Sequence, residues 1–113
     1  MRKIEAEELK EILEKHKLWL RNEEGERADL RYTDLHSADL RFSNLRFSDL
    51  RYADLRYADL YYADLHSADL RFSDLRFSNL RFSNLRYADL RYTDLRFSNL
   101  YSAKIFNGWR LTK

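Results

Sequence analysis

The sequence predicts a solenoid, and three observations predict it. A five-residue phrase, small–Asp/Asn–Leu–Arg–aromatic, begins at Ala28 and runs unbroken to Ile105, so that sixteen copies fill 78 of the 113 residues. Its period fits neither the 3.6 residues of a helix nor the 2 of a strand. Four phrases make 20 residues, close to the coil of a solenoid in which each coil touches only its neighbours. Finally, Leu and the small residue (Ala, Ser or Thr) form columns with no charge, the condition for burial, while the other three positions belong outside.

Three segments follow: a helical cap and hinge over 1–27, the repeat over 28–105 and a C-terminal cap over 106–113. Residues 4 to about 20 read as a helix whose stripe is Leu9, Ile12, Leu13, His16 and Leu20, with Glu7, Glu8, Glu11, Lys15 and Lys17 off it. Glu11 and Lys15 form an i,i+4 pair in the favoured order, and acidic residues precede basic ones as the helix dipole prefers. A helix this short is marginal alone, so its stripe is expected to dock on the exposed end of the repeat. Asn22 to Arg27 form a polar hinge around Gly25, where a positive φ is expected. After Ile105 the five-residue spacing breaks, and Phe106, Trp109 and Leu111 are expected to fold over the far end, with a turn at Asn107-Gly108. Such caps keep solenoid ends from pairing with other chains.

In its tandem A(D/N)LXX phrases from Ala28 to Ile105, the chain resembles the pentapeptide-repeat family. The stretch LEKHKLWLRNEEGER before them also resembles the helical lead-in of some members. The resemblance implies that the solenoid is all-β, a right-handed quadrilateral β-helix of about four coils with an N-terminal capping α-helix, Leu and the small residue pointing inward.

Taken modulo 20, the outward residues become columns. One face carries Arg31, Arg51, Arg71 and Arg91 beside Tyr32, Tyr52, Phe72 and Tyr92, and these eight residues are the candidate interaction surface. The aromatic columns are expected to form external ladders with guanidinium groups over ring faces. Asp or Asn before each Leu is suited to accept from backbone N–H groups at the bends. The leucines alone cannot offset the backbone entropy of so long a repeat, so inter-coil hydrogen bonds and these columns must contribute.

The chemistry expected is sparse. Within the repeat, eleven Arg and Lys104 face eleven Asp, and the whole chain carries net +2, which argues against both a nucleic-acid footprint and an acidic DNA mimic. No cysteine is present, no apolar run approaches a membrane span and the N-terminus lacks an apolar leader, so a soluble, cytoplasmic protein is expected. His16, His36 and His66 fall on the helix and on two opposite faces, too far apart for a metal. The neighbours His36-Ser37 and His66-Ser67 are expected to diverge, giving no triad, and the Asp residues recur too uniformly for a catalytic pair.

The expectation is therefore a non-enzymatic structural scaffold without cofactor, metal, small-molecule or membrane partner. Its monotony, with RFSNL, RFSDL, RYADL, RYTDL and HSADL supplying nearly all units, points to an engineered, consensus-like repeat. Two alternatives stand beside it. The resemblance brings in family members that protect DNA gyrase as B-DNA-like rods, but those are acidic and longer, unlike this neutral body. The exposed aromatic ladders, or the C-terminal end, are candidates for homo-oligomerisation.

Overall fold

The structure is a computed structural model that describes residues 1–105. The expected C-terminal cap, with Phe106, Trp109, Leu111 and the Asn107-Gly108 turn, lies outside the described residues.

Three regular elements are present: strand β1 (Arg2–Lys3), helix α1 (Ala6–Leu20) and strand β2 (Thr33–Asp34). The remainder of the ladder consists of single parallel bridges between residues twenty apart, from Asp29↔Asp49 to Asn84↔Lys104. Each phrase has room for one bridging residue before the chain turns, so the 20-residue period makes a solenoid without extended strands.

One unit shows where the backbone groups go. Leu50 N–H donates to the Asp69 carbonyl (2.8 Å), Tyr52 N–H to the Arg71 carbonyl (3.1 Å) and Asp54 N–H to the Thr33 carbonyl (2.9 Å). Ala53 N–H closes the turn on the Leu50 carbonyl (3.1 Å). The fifth donor, Arg51 N–H, is met by Asp49 Oδ1 at 3.2 Å. All five donors of the phrase are thus satisfied, three of them between circuits, which is where the stability that the leucines lack comes from.

The turn forces an unusual backbone. The residue after each Arg position sits in the left-handed region, from Tyr32 (φ 57°) through Phe77 (φ 63°) to Ser102 (φ 58°). Bulky residues rarely adopt that conformation, and each instance costs on the order of 1–3 kcal/mol. It persists because it aims that residue's N–H at the next circuit, as with Tyr57 N–H to the Arg76 carbonyl (3.1 Å).

The core follows the expected columns. Leu30 to Leu85 are at most 2% exposed, and Ala28, Ala53, Ala58, Ala63, Ala68 and Ala88 are buried beside them. Inward serines satisfy their hydroxyls locally: Ser48 and Ser73 donate to the carbonyls of Leu45 and Leu70 at 2.7 Å. Among the described residues no buried side-chain polar atom lacks a partner. Leu95, Leu100 and Ile105, in the last described circuit, are only partly buried.

Helix α1 begins at Ala6, two residues later than the stripe implied, because Arg2–Lys3 pairs in parallel with Thr33–Asp34 and adds a rung above the ladder. Leu9 and His16 are its buried residues. His16 is fully buried, receives the Ala28 N–H on Nδ1 (2.9 Å) and bonds the Arg46 carbonyl through Nε2 (2.7 Å). This arrangement defines the tautomer, since Nδ1 accepts while Nε2–H donates. Arg46 C=O is one of the carbonyls that would otherwise open a free edge at the top of the solenoid.

The hinge departs from expectation. Positive φ falls on Asn22 (φ 60°), not on Gly25. Gly25 is needed for close approach instead: a Cβ there would lie 2.3 Å from the Lys15 carbonyl oxygen and 2.7 Å from Leu18 Cβ. That same carbonyl accepts the Glu26 N–H (3.1 Å), so the hinge is folded directly against the helix.

Candidate functional site

The eight surface residues singled out in the sequence come together as two parallel columns. Tyr32, Tyr52, Phe72 and Tyr92 stack with ring centroids 4.7, 4.9 and 4.9 Å apart and planes within 5° of parallel. They are 53, 40, 46 and 77% exposed, so the ladder is open to solvent along its whole length.

The arginines behave differently from expectation. They do not lie over the rings but grip the carboxylate two residues earlier. Arg51 donates from Nε to Asp49 Oδ1 (2.9 Å) and from Nη2 to Asp49 Oδ2 (2.6 Å). It also reaches Asp69 of the next circuit at 3.5 Å. Arg31, Arg71 and Arg91 repeat the two-pronged pairing with Asp29, Asp69 and Asp89. A planar guanidinium matched to a carboxylate by two bonds outcompetes a ring face.

The electrostatics follow. The Arg31 bonds hold Asp29 down at about 2, and Arg41 does the same for Asp39. Burial pushes Asp49 up, but the bonds from Arg51 win and its carboxyl is also lowered. Arg46, Arg81 and Arg86 follow asparagines, which offer no carboxylate. Arg46 and Arg86 donate from Nε to Asn44 and Asn84 Oδ1 (3.2 and 3.1 Å), and the Arg81 guanidinium packs 5.6–5.9 Å from the rings of Tyr61, Phe82 and Tyr101.

The asparagines obey a rule missed in the sequence. Tyr61 and His66 stand where arginine would follow Asp59 and Asp64. One circuit later those two carboxylates meet Asn79 and Asn84, whose amide groups donate to them at 3.1 and 3.2 Å. At these two positions an amide stands where a like charge would meet a carboxylate without its guanidinium, whereas Asp34, which His36 follows, is met by Asp54. The signal was present, since both asparagines lie one 20-residue period beyond an Asp without its Arg.

The histidines are separate sites. His16 holds the helix, and burial is the main cause that lowers its pKa. His36 and His66 fill the gaps left where serine replaces an aromatic. His66 packs edge-on against Phe47 and Tyr87, and His36 against Tyr57. Among the described residues no cluster of three or more His, Cys, Asp or Glu is arranged to hold a metal ion.

The serine neighbours do not diverge as expected. Ser37 Oγ lies 3.2 Å from His36 Nδ1, and Ser67 Oγ 3.1 Å from His66 Nδ1. The cause is the left-handed backbone at Ser37 (φ 62°) and Ser67 (φ 60°), which bends the hydroxyl back toward the preceding ring. Each contact is a dyad without an orienting carboxylate on the ring. Asp34 and Asp64 spend Oδ1 on the backbone N–H groups of His36 and His66. A hydrolytic triad needs that third group on the imidazole.

The comparisons with known proteins agree with this geometry. The family described as pentapeptide repeats matches in eight copies over residues 19–46, 38–76 and 63–100. The chain belongs to the pentapeptide repeat family. Several solved pentapeptide repeat proteins are similar to it. One from the Arabidopsis thaliana thylakoid lumen is 29% identical with a TM-score of 0.69, over 71% of this chain and 55% of that one. One from the cyanobacterium Cyanothece 51142 is 31% identical with a TM-score of 0.52, over 67% of this chain and 53% of that one. HetL, from Nostoc sp. strain PCC 7120 and involved in heterocyst differentiation regulation, is 33% identical with a TM-score of 0.53, over 67% and 38%. This pentapeptide repeat protein therefore spans little more than half the length of these structures, or less. No curated protein sequence matches it. No helix among its described residues is long and apolar enough to cross a membrane.

Proposed function

We propose that this pentapeptide repeat protein is a non-enzymatic structural scaffold, an engineered consensus-like repeat without a dedicated ligand. In this reading the chain is a right-handed quadrilateral β-helix of about four coils, and α1 is its N-terminal cap. The observation that carries it is the use of the outward charges. Arginines such as Arg51 and Arg71 are bound two-pronged to their own Asp and again to the Asp of the next circuit. Side chains committed in this way stabilise the rod they cover, and the Asp–Arg columns leave no acidic stripe of the kind a DNA mimic would need. Reduced-salt titration with duplex DNA and a gyrase supercoiling assay test the reading together. It expects no mobility shift and no inhibition or quinolone protection, and either activity would overturn it.

Self-association is the second reading, favoured by the open aromatic ladders, with Tyr92 77% and Phe97 74% exposed. Light scattering coupled to size exclusion decides it. A mass of 13.8 kDa at high concentration removes this reading, and a multiple of it supports homo-oligomers through the aromatic faces or the C-terminal end.

A further inference from the structure

The four faces differ in what happens when one is laid on a second copy of itself. Counted by twenty, the third face carries one column of Asp39, Asp59, Asn79 and Asn99. Beside it runs a column of Arg41, Tyr61, Arg81 and Tyr101. Two of these charges lack the partner that the rest of the rod supplies. Arg81 follows Asn79, rests its guanidinium on rings and enters no ion pair among the described residues. Asp59 precedes Tyr61, so no arginine grips it, and its one ion pair among the described residues is a 4.0 Å approach by Arg41 Nε. Rings are also dense here. Tyr62 stacks on Phe42 and Phe82 at 5.6 and 5.0 Å, and Tyr61 stands edge-on to all three.

We propose that the third face binds the third face of a second copy, with the two rods antiparallel. This contact rests on the self-association reading and adds to it the face, the partner and the symmetry. A two-fold axis between the faces, running across the rods, lays each column on its own copy and reverses the order of the circuits. With all four circuits matched, Asp39 meets Asn99 and Asp59 meets Asn79. In the other column Arg41 meets Tyr101 and Arg81 meets Tyr61. Carboxylates thus oppose amides, and guanidinium groups oppose tyrosine rings, whose faces attract a cation. Arg81 also comes beside the second copy's Asp59, two residues before the tyrosine it covers. Arg41 spans that same offset to bond Asp39 at 2.8 Å. One symmetry operation therefore joins the unmatched cation to the unmatched carboxylate, and does so twice.

The same operation fails elsewhere. On the first face each carboxylate of the column from Asp29 to Asp89 opposes another, and each arginine from Arg31 to Arg91 opposes another. The second face likewise sets the column from Asp34 to Asp94 against itself. The fourth carries Arg46, Arg86 and Lys104 against Asp64 alone, a surplus of like charge on both copies. On the third face a slip by one circuit sets Arg81 on Arg41 in one direction and on itself in the other. Like charges across an interface reject both the wrong faces and the wrong register.

Light scattering coupled to size exclusion, carried to hundreds of micromolar protein, is expected to approach twice 13.8 kDa and no more, since an isologous contact closes at two. Arg81→Glu sets a carboxylate against the second copy's Asp59, and Asp59→Lys sets an ammonium group against its Arg81. Each is expected to weaken association about tenfold or more. Mixed in equal amounts, the two variants regain one opposite-charge pair and keep one native pair, so a heterodimer of near-native affinity is expected. No rearrangement within one chain gives that recovery. Tyr62→Ser supplies a weakening variant without new charge, and serine is native at the same backbone position at Ser102. Tyr52→Ser, on the first face, is expected to change nothing, and circular dichroism checks that each variant is folded. A mass of 13.8 kDa at every concentration would overturn this contact and the self-association reading together. Three outcomes would overturn the contact while self-association stands: a dimer that Arg81→Glu and Tyr62→Ser leave intact, variants that stay monomeric when mixed, or assemblies larger than two.

Discussion

Replacing His16 with leucine removes two hydrogen bonds while keeping an apolar side chain of similar size in a fully buried place. Ala28 N–H then loses its acceptor at 2.9 Å and the Arg46 carbonyl its donor at 2.7 Å. Ala28 is 2% exposed, so its N–H bears the full cost of an unmet buried donor, about 1–3 kcal/mol. An unmet carbonyl is better tolerated than an unmet N–H, so the loss at Arg46 belongs at the low end of the same range. The expected total is about 2–4 kcal/mol. Urea denaturation followed by circular dichroism measures it, and Trp19 localises it. The indole stacks on the His16 ring at 5.6 Å, so its emission and its quenching by acrylamide report whether α1 has left the solenoid. A Trp109→Phe background isolates that signal. A loss below about 0.5 kcal/mol, with Trp19 emission unchanged, would refute the claim that His16 fastens the helix.

Four other outcomes follow from the same geometry. Burial lowers the His16 pKa, so the unfolded chain binds the proton more readily than the folded one. The stability this residue contributes is complete above its ordinary value of 6.5 and declines as pH falls below it, and a pH series of urea melts should lose that part of its slope in His16→Leu. The carboxyls of Asp29, Asp39 and Asp94 are held near 2 by their arginines, against an ordinary 3.8. The ion-pair contribution therefore persists above about 3.8 and is lost as pH falls toward 2, visible as steepening acid denaturation in that window. Gly25→Ala should destabilise by about 1–3 kcal/mol in a thermal or urea melt, because its Cβ meets the Lys15 carbonyl, which is backbone and cannot turn aside. Ser37→Gly should stabilise by about 1 kcal/mol, since glycine enters φ 62° without strain, and an unchanged or lower midpoint would count against that cost.

The interior of this rod was legible because every leucine obeys one rule. The spacing of Leu30 through Leu90 fixed the inside, and counting by twenty named the residues that stack. The helix stripe likewise included His16, though not its role, since an imidazole with both nitrogens on backbone partners leaves no trace in spacing. The left-handed turns were hidden because Tyr52 or Phe77 is the opposite of what such a φ ordinarily selects. Only the ladder, formed with residues a full circuit away, holds them there. Strand β1 was missed for a similar reason. Two residues carry no periodicity, and Arg2–Lys3 is ordered by its partner Thr33–Asp34. The ring-stacking arginines were expected from composition, but a carboxylate two residues back was the stronger partner wherever one was present, and of the three arginines that follow an asparagine only Arg81 packs on rings. The Ser–His contacts were judged on an extended backbone, and the bend at Ser37 and Ser67 reversed that geometry.

The central claim is that neighbouring residues in one phrase have opposite roles, one holding the fold from within and the other covering it. Equilibrium urea denaturation of Leu70→Ala beside Arg71→Ala tests it most directly. Leu70 is 0% exposed among the core leucines, and its truncation should cost about 2–5 kcal/mol. The side chain of Arg71 is 34% exposed and bound to Asp69 and Asp89, and its removal should cost under about 1 kcal/mol. Losses of similar size at the two positions would contradict the account.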